Sequence, residues 1–271
     1  SSVEMMETYY EFFLDYGISL QSLPLESQTH EEIVDALYKY YDILTSYTIQ
    51  NKPGEVPGGG TVAEQTKEMI YAVASISSPE KNYFDKAMLY VVDEPKLEEA
   101  SSRTYVLSMI GHINKMLQEC VDTIAADTTG KYDSFKSIEG WENSILDIPN
   151  IMPMTATVGT HLLNNSENEE IKAIMAALNT ICPTFDVFND QEAEKLVALC
   201  KQNGIENIWW YGCVGPTAPY GNYHIGDKNL LGARTYSWVQ AKFDIEGNLY
   251  WDAAAYTDEN PMFYNQYVDI Y

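Results

Sequence analysis

Apolar and polar residues follow two periods along this chain, one typical of helices and one typical of buried strands. Apolar residues three and four positions apart predict helices at Glu4–Tyr16, Glu31–Leu44, Thr61–Ser75, Leu97–Cys120, Glu169–Leu178, Asn189–Asn203 and Leu230–Phe243. Short apolar runs bounded by turn residues predict strands at Ile18–Leu23, Ser46–Gln50, Ala87–Val92, Ile148–Thr155, Thr180–Val187, Asn207–Tyr211 and Leu249–Trp251. The prolines and glycines of residues 51–60 predict a loop.

This alternation of strands and helices, with no linker between them, predicts one α/β domain over residues 1–271. A parallel (β/α)8 barrel of the TIM type fits the length, since such barrels need roughly 250 residues. Because the chain opens on a helix, we expect the first strand to be absent or irregular and the domain to be part of a larger protein. A doubly wound open sheet is the alternative, although no glycine-rich phosphate turn follows a predicted strand.

Two adjacent carboxyl groups end the predicted strand Ala87–Val92. Asp93 and Glu94 are followed by Pro95 and then by a long predicted helix. In a parallel barrel the catalytic side chains lie at the C-terminal ends of the strands, so this pair is a candidate catalytic site. The alternative interpretation is a pair of charges that the helix dipole favours near a helix start.

Tryptophan and tyrosine are concentrated at two further predicted strand ends. One strand end carries Trp209, Trp210 and Tyr211, and the other carries Tyr250 and Trp251. Aromatic rings offer flat apolar faces and polar edges, which suit sugar rings and their hydroxyl groups. Side chains alternate between the two faces of a strand, so at least one of the two adjacent tryptophans is expected to have a structural role.

The acidic composition narrows the class of ligand. The chain has 16 Lys and Arg residues against 40 Asp and Glu residues, which gives a net charge of −24. Such a surface repels phosphate backbones, so we expect a neutral substrate and no nucleic acid. No apolar run reaches the roughly 18 residues that a membrane span needs. The first residues lack the features of a signal peptide, so a signal for export would have to lie outside this chain.

The cysteines and histidines show no spacing typical of a metal site, and no metal or cofactor is predicted. Each of the four cysteines lies within or beside an apolar segment, which favours buried thiols and leaves a disulfide open. They are Cys120, Cys182, Cys200 and Cys213.

Two catalytic schemes are compatible with these acids if the ligand is a sugar. Most glycosidases place two carboxyl groups around the scissile bond. The tryptophan-rich strand carries no acid, so Asp186 and Asp252 are the remaining candidates for a nucleophile in that scheme. Adjacent acids at one strand end favour the other scheme. In it, one acid protonates the leaving oxygen while the 2-acetamido group of the substrate attacks the anomeric carbon.

Three segments of the chain resemble the catalytic barrel of glycoside hydrolase family 123 and the related, uncharacterised C-terminal barrel domains. They are YVVDEP, WWYGCVGPTAPYGNYHI and LLGARTYSWVQAKFDIEGNLYW, and the similarity spans roughly Ala87 to Asp252. The resemblance implies a retaining β-N-acetylgalactosaminidase that acts through an oxazolinium intermediate, and it favours an extracytoplasmic or secreted location. Members of this family usually carry an N-terminal β-sandwich, and this chain shows none.

The resemblance also implies roles for individual residues. Glu94 would be the general acid/base, and Asp93 would polarise the nitrogen of the acetamido group. Arg234 matches the helix after the tryptophan strand, where it would pair with an acid. The pocket for the sugar and its acetamido group would be lined by Trp210, Tyr211, Tyr250 and Trp251.

Three hypotheses follow. The first is a hydrolase of β-linked N-acetylhexosaminides, with N-acetylgalactosamine preferred. The second is a retaining hydrolase of plain hexosides, with Asp186 or Asp252 as the nucleophile. The third is a non-catalytic carbohydrate-binding barrel, or an inactive fragment of such an enzyme.

Overall fold

The computed structural model describes residues 2–49, 60–155, 159, 161–162, 164–188, 190–205, 207–213 and 230–250. Contacts within the chain define two compact units. The first unit comprises Ser1–Val92 and Tyr105–Ile151, and the second comprises Asp93–Thr104 and Met152–Tyr271. None of the helices in the described ranges is long and apolar enough to cross a membrane.

The first unit is built around a small parallel sheet. Its strands are β1 (Tyr47–Thr48), β2 (Ala87–Tyr90) and β3 (Asn150–Ile151), paired in that order. All the residues of these strands are buried. The helices in this part of the chain are α1 (Ser2–Asp15), α2 (His30–Tyr40), α3 (Gly60–Ile76), α4 (Ala100–Ala126), α5 (Asp133–Lys136) and α6 (Trp141–Leu146).

Local sequence accounts for the helices of this unit. At the start of α2 the Thr29 side chain accepts a hydrogen bond from the backbone N–H of Glu32, and the Glu32 side chain accepts one from Thr29, which is a capping box. The long helix α4 buries a stripe of apolar residues at helical spacing: Val106, Ile110, Ile113, Met116, Leu117, Cys120, Val121 and Ile124.

The second unit holds a four-stranded sheet. Its strands are β4 (Pro153–Met154), β5 (Thr180–Pro183), β6 (Asn207–Gly212) and β7 (Gly247–Tyr250), all parallel and paired in chain order. The connecting helices are α7 (Glu169–Ala177), α8 (Asp190–Gln202) and α9 (Leu230–Lys242). Helix α7 begins where the Asn168 side chain accepts hydrogen bonds from the N–H groups of Glu170 and Ile171.

The structure is α/β with parallel strands, which confirms that part of the prediction from the apolar pattern. A full TIM barrel is not shown. The strand predicted at Ile18–Leu23 was wrong. In this segment, the carbonyl oxygen of Gln21 accepts two hydrogen bonds from Thr48 in β1. They come from the N–H at 2.7 Å and from the Oγ1 hydroxyl at 2.9 Å. Strand β1 has only two residues, so no longer ladder forms beside it. The predicted loop lies at residues 51–59 outside the described residues, and Gly60 already belongs to α3.

Candidate functional site

The two tryptophans of β6 lie on opposite faces of the sheet. Trp210 is 1% exposed, and its ring centroid lies 4.5 Å from that of Tyr236 in α9. Two further rings, those of Phe185 and Phe188, lie 6.0 and 5.6 Å from it. The indole of Trp210 is therefore enclosed between the sheet and α9, where it stabilises packing and offers no open face to a sugar.

Trp209 and Tyr211 share the other face of β6, because side chains alternate along a strand. Trp209 pairs in register with Gly247, the first residue of β7. A Cβ atom on Gly247 would lie only 1.9 Å from Cδ2 of the Trp209 indole. The indole therefore lies across the backbone of Gly247, a close approach that only glycine permits. The pattern of the chain did not distinguish Trp209 from Trp210; the glycine at the start of the neighbouring strand was the available signal.

The backbone of Glu94 has an unusual conformation. Its φ angle is +40°, in the left-handed region that non-glycine residues rarely adopt. The N–H of Val91 donates to the carbonyl oxygen of Ile151 at 2.8 Å, and the N–H of Glu94 donates to that of Pro153 at 3.0 Å. The N–H of Glu94 is thus satisfied by Pro153, the first residue of β4, which helps to hold Glu94 in this conformation.

The side chains of Glu94 and Tyr211 meet. The phenol hydroxyl of Tyr211 donates a hydrogen bond to Oε1 of Glu94. Tyr211 is buried, and burial, followed by the hydrogen bond to Glu94 and its charge, raises the pKa of Tyr211 well above its usual value. The hydroxyl therefore keeps its proton and acts as a fixed donor to the carboxyl group.

The position of α4 weakens the helix-dipole interpretation of the two acids. Helix α4 begins at Ala100, six residues after Glu94. The influence of a helix dipole is confined to the first turn. Asp93 and Glu94 are both exposed and precede that turn, so the dipole of α4 does not account for them.

Arg103 fixes the segment that follows the two acids. Its side chain is only 13% exposed, and its Nε donates to Oε2 of Glu170 at 2.5 Å. Its Nη1 donates to the carbonyl oxygens of Leu97 and Glu98, at 2.9 and 3.2 Å. Arg103 thus ties the loop after Pro95 to the first turn of α7. Nothing in the sequence pattern indicated this role, because Glu170 is distant along the chain.

Two buried oxygens near the end of β5 have no hydrogen-bond partner in the described part of the chain. They are Oγ1 of Thr184 and Oδ1 of Asp186. Thr184 directly follows the last residue of β5, and Asp186 belongs to the 3-10 helix Phe185–Val187. Thr184 pairs with Tyr211 across the strands. It was not among the predicted site residues, whereas Asp186 was a candidate nucleophile.

The remaining predicted residues are not brought to Glu94 by any described contact. Arg234 is exposed on α9 and forms no ion pair with a described residue. Tyr250 ends β7, where it pairs with Gly212. Trp251 and Asp252 lie outside the described residues.

The cysteines are not joined by disulfides. Three of them are buried, as predicted, and burial raises the pKa of Cys120 and Cys200 to about 12. Cys213, next to the end of β6, is partly exposed. Among the described residues, no group of three or more His, Cys, Asp or Glu side chains could hold a metal ion.

No protein-family model matches the chain, and no curated protein or solved structure matches it. The resemblance to glycoside hydrolase family 123 therefore stays a prediction, carried by the three segments quoted above. The feature that joins two of those segments is the hydrogen bond between Glu94 and Tyr211.

Proposed function

We propose that this protein is a retaining glycoside hydrolase that cleaves β-linked N-acetylhexosaminides, with N-acetylgalactosamine preferred. The hydrogen bond from Tyr211 to Glu94 carries the proposal. It orients a carboxyl group that is accessible to solvent, next to the end of a parallel strand and on the face of the sheet opposite α9. Catalytic groups of parallel α/β enzymes occupy such positions.

Glu94 acts as the general acid and then as the general base. In the first step its carboxyl proton passes to the glycosidic oxygen, and the bond from that oxygen to the anomeric carbon breaks. The carbonyl oxygen of the substrate's 2-acetamido group forms the new bond to that carbon, which gives an oxazolinium ion. In the second step Glu94, now a carboxylate, takes a proton from water as the water oxygen attacks the anomeric carbon.

Tyr211 serves both steps. A carboxylate oxygen and the carbonyl oxygen of a carboxylic acid both accept hydrogen bonds. The raised pKa of Tyr211 keeps its hydroxyl a donor in either state of Glu94. Its role is to hold the carboxyl group in one orientation while the proton is given and taken back.

Asp93 supplies the second acidic role. It directly precedes Glu94 and is exposed, so it can reach a ligand held by its neighbour. As a carboxylate it accepts a hydrogen bond from the N–H of the acetamido group. This polarises the amide and raises the nucleophilicity of its carbonyl oxygen, as substrate assistance requires.

We also propose that the strands form a (β/α)8 barrel of the TIM type with an irregular first strand. The support is that every sheet pair is parallel and that the strand order in each sheet follows the chain. The hydrogen bonds from Thr48 to the Gln21 carbonyl oxygen join a segment that is not a strand to β1, as an irregular first strand would be joined. A crystal structure tests this closure directly, and an open sheet edge at β7 would contradict it.

The test of the function is the Glu94→Gln variant, with Glu98→Gln as the matched control because Glu98 is an exposed acid in the same segment. General acid–base catalysis is worth about 10²–10⁴-fold, so kcat/KM on an aryl β-N-acetylgalactosaminide should fall by at least about 100-fold in Glu94→Gln. Glu98→Gln should keep the wild-type value. Azide should restore turnover to Glu94→Ala and give a β-glycosyl azide. Full activity of Glu94→Gln would refute the assignment.

A matched substrate pair separates the chemical schemes. Only the 2-acetamido glycoside can assist its own cleavage, so the corresponding aryl galactoside, with a 2-hydroxyl group, should be inert. A thiazoline that mimics the cyclic intermediate should inhibit. Equal cleavage of both substrates would instead favour double displacement with Asp186 or Asp252 as the nucleophile. Sugar binding without turnover would indicate a binding domain.

A further inference from the structure

One buried hydroxyl group of the second unit is unexplained by the fold. The side chain of Thr184 is 4% exposed, and its Oγ1 has no hydrogen-bond partner in the described part of the chain. An unpaired buried polar group costs about 1–3 kcal/mol. Other buried threonines are paired: Thr48 and Thr66 donate to backbone carbonyls, and Thr180 donates to Oδ1 of Asn179. Among the buried threonines of the described residues, Thr184 is the one whose hydroxyl lacks a partner, which leaves that hydroxyl available to a ligand.

The register of the strands relates Thr184 to the residue that holds Glu94. The N–H of Thr184 donates to the carbonyl oxygen of Met154 at 2.8 Å, which extends the pairing of β4 with β5. Thr184 also forms a parallel bridge with Tyr211. Paired residues of neighbouring strands direct their side chains to the same face. Thr184 thus shares the face on which Tyr211 holds Glu94, and not the face on which Trp210 is enclosed.

We propose that Thr184 is a specificity-determining residue whose hydroxyl hydrogen-bonds one ring hydroxyl of the sugar that Glu94 cleaves. This inference rests on the proposed function, since the ligand is taken to be the N-acetylhexosaminide. In this proposal the buried hydroxyl, which has no partner among the described residues, gains one when the correct sugar is bound. A sugar that lacks the matching hydroxyl leaves Thr184 unpaired, which is how binding sites reject such analogues.

The primary experiment is Thr184→Val, which removes the hydroxyl with little change of shape. We expect kcat/KM on the aryl β-N-acetylgalactosaminide to fall about 10-fold to 100-fold, as for the loss of a hydrogen bond in a buried site. Thr184→Ser, which keeps the hydroxyl, should retain most of the activity. Thr180→Val is the matched control on the same strand and face, and it should leave kcat/KM within about twofold of wild type.

Deoxy substrates identify the sugar group. Aryl N-acetylgalactosaminides that lack the 3-, 4- or 6-hydroxyl group are compared on wild type and on Thr184→Val. Wild type should cleave one of the three deoxy substrates much more slowly than the parent substrate. Thr184→Val should cleave that substrate and the parent at similar rates, and it should treat the other two deoxy substrates as wild type does. The two changes remove the same contact, so their combined effect should be smaller than the product of the separate effects.

Thermal unfolding distinguishes recognition from packing. Thr184→Val removes an unpaired hydroxyl, so the Tm of the unliganded protein should stay level or rise. The stabilisation by a thiazoline inhibitor should fall. Thr180→Val breaks the hydrogen bond to Asn179, so its Tm should fall while its stabilisation by the inhibitor persists. A fall in the Tm of Thr184→Val with unchanged inhibitor binding would mean a packing role and overturn the inference.

The outcomes separate this inference from the proposed function. If Glu94→Gln loses activity but Thr184→Val keeps the full deoxy discrimination, the inference fails and the function stands. If the wild type turns over no glycoside but binds N-acetylgalactosamine in calorimetry, and Thr184→Val weakens that binding, the inference holds for recognition and catalysis fails. If the wild type neither cleaves nor binds, both fail.

Discussion

Gly247→Ala is the substitution for which the structure makes the sharpest prediction. Glycine within a strand is ordinarily unfavourable relative to alanine by roughly 0.5–1 kcal/mol. On that ground alone, alanine at the first position of β7 would stabilise the protein. The indole of Trp209 reverses the expectation, because a Cβ atom at this position would lie 1.9, 2.1 and 2.4 Å from its Cδ2, Cε2 and Cγ atoms.

The size of the effect follows from this overlap. Ordinary contacts of a Cβ atom begin at about 3.4 Å, so the ring would have to move by about 1.5 Å. The backbone cannot separate instead, since Trp209 and Gly247 are register partners in adjacent strands. Overpacking of this kind typically costs about 1–3 kcal/mol. For a protein of this length, that corresponds to a fall in Tm of roughly 2–10 °C.

A double-mutant cycle tests this reasoning through the sign of the effect. Gly247→Ala should destabilise the wild type but stabilise the Trp209→Ala variant by roughly 0.5–1 kcal/mol, because there only the benefit of alanine in a strand remains. Denaturant unfolding followed by far-ultraviolet circular dichroism measures all four proteins without relying on tryptophan fluorescence. If Gly247→Ala has the same sign in both backgrounds, the indole does not lie across Gly247.

Three further substitutions or modifications have defined outcomes. Tyr211→Phe should lower kcat/KM by about 10-fold to 100-fold, because it loses the hydrogen bond to the Glu94 carboxyl group. The control Tyr236→Phe should leave kcat/KM unchanged. Equal effects of the two variants would contradict the role assigned to Tyr211. Arg103→Lys keeps the charge but loses the guanidinium geometry, so the free energy of unfolding measured by urea titration should fall by about 1–3 kcal/mol. No change would mean that Arg103 does not hold the loop after Pro95. A thiol reagent should modify one cysteine of the native protein, Cys213, and all four after unfolding; rapid modification of a second native thiol would contradict the burial of the other three.

The apolar pattern predicted the strands best where both faces are covered. Strands β2 and β5 are short apolar runs with every residue buried, and such runs are recognisable without knowledge of their partners. The pattern failed at Ile18–Leu23, which has the composition of a strand. Strand formation there depends on a neighbouring ladder, and β1 is too short to provide one. Pairing across distant parts of the chain is not visible in a local pattern.

The same limit applies to the candidate site. Alternation predicted that Trp209 and Trp210 lie on opposite faces, but it could not say which face is covered by a helix. That depends on Tyr236 of α9, which packs on Trp210. The sequence does not distinguish Thr184 from the other residues of its predicted strand. Its position beside Tyr211 follows only from the register of the two strands. Residue type thus singled out Glu94 and Tyr211 as candidates, whereas Thr184, which is defined by its strand partner, was not among them.

The backbone of Glu94 gives the strongest physical reason to assign a function to the two acids. A left-handed conformation costs a non-glycine residue roughly 1–2 kcal/mol, and glycine would adopt it freely. The following Pro95 further restricts the conformations open to this residue. The conformation is maintained by the N–H bond to Pro153 and the carboxyl bond to Tyr211. A carboxylate needed only for solubility would have no reason to occupy a strained position with two fixed partners, whereas strained residues of this kind cluster at active sites.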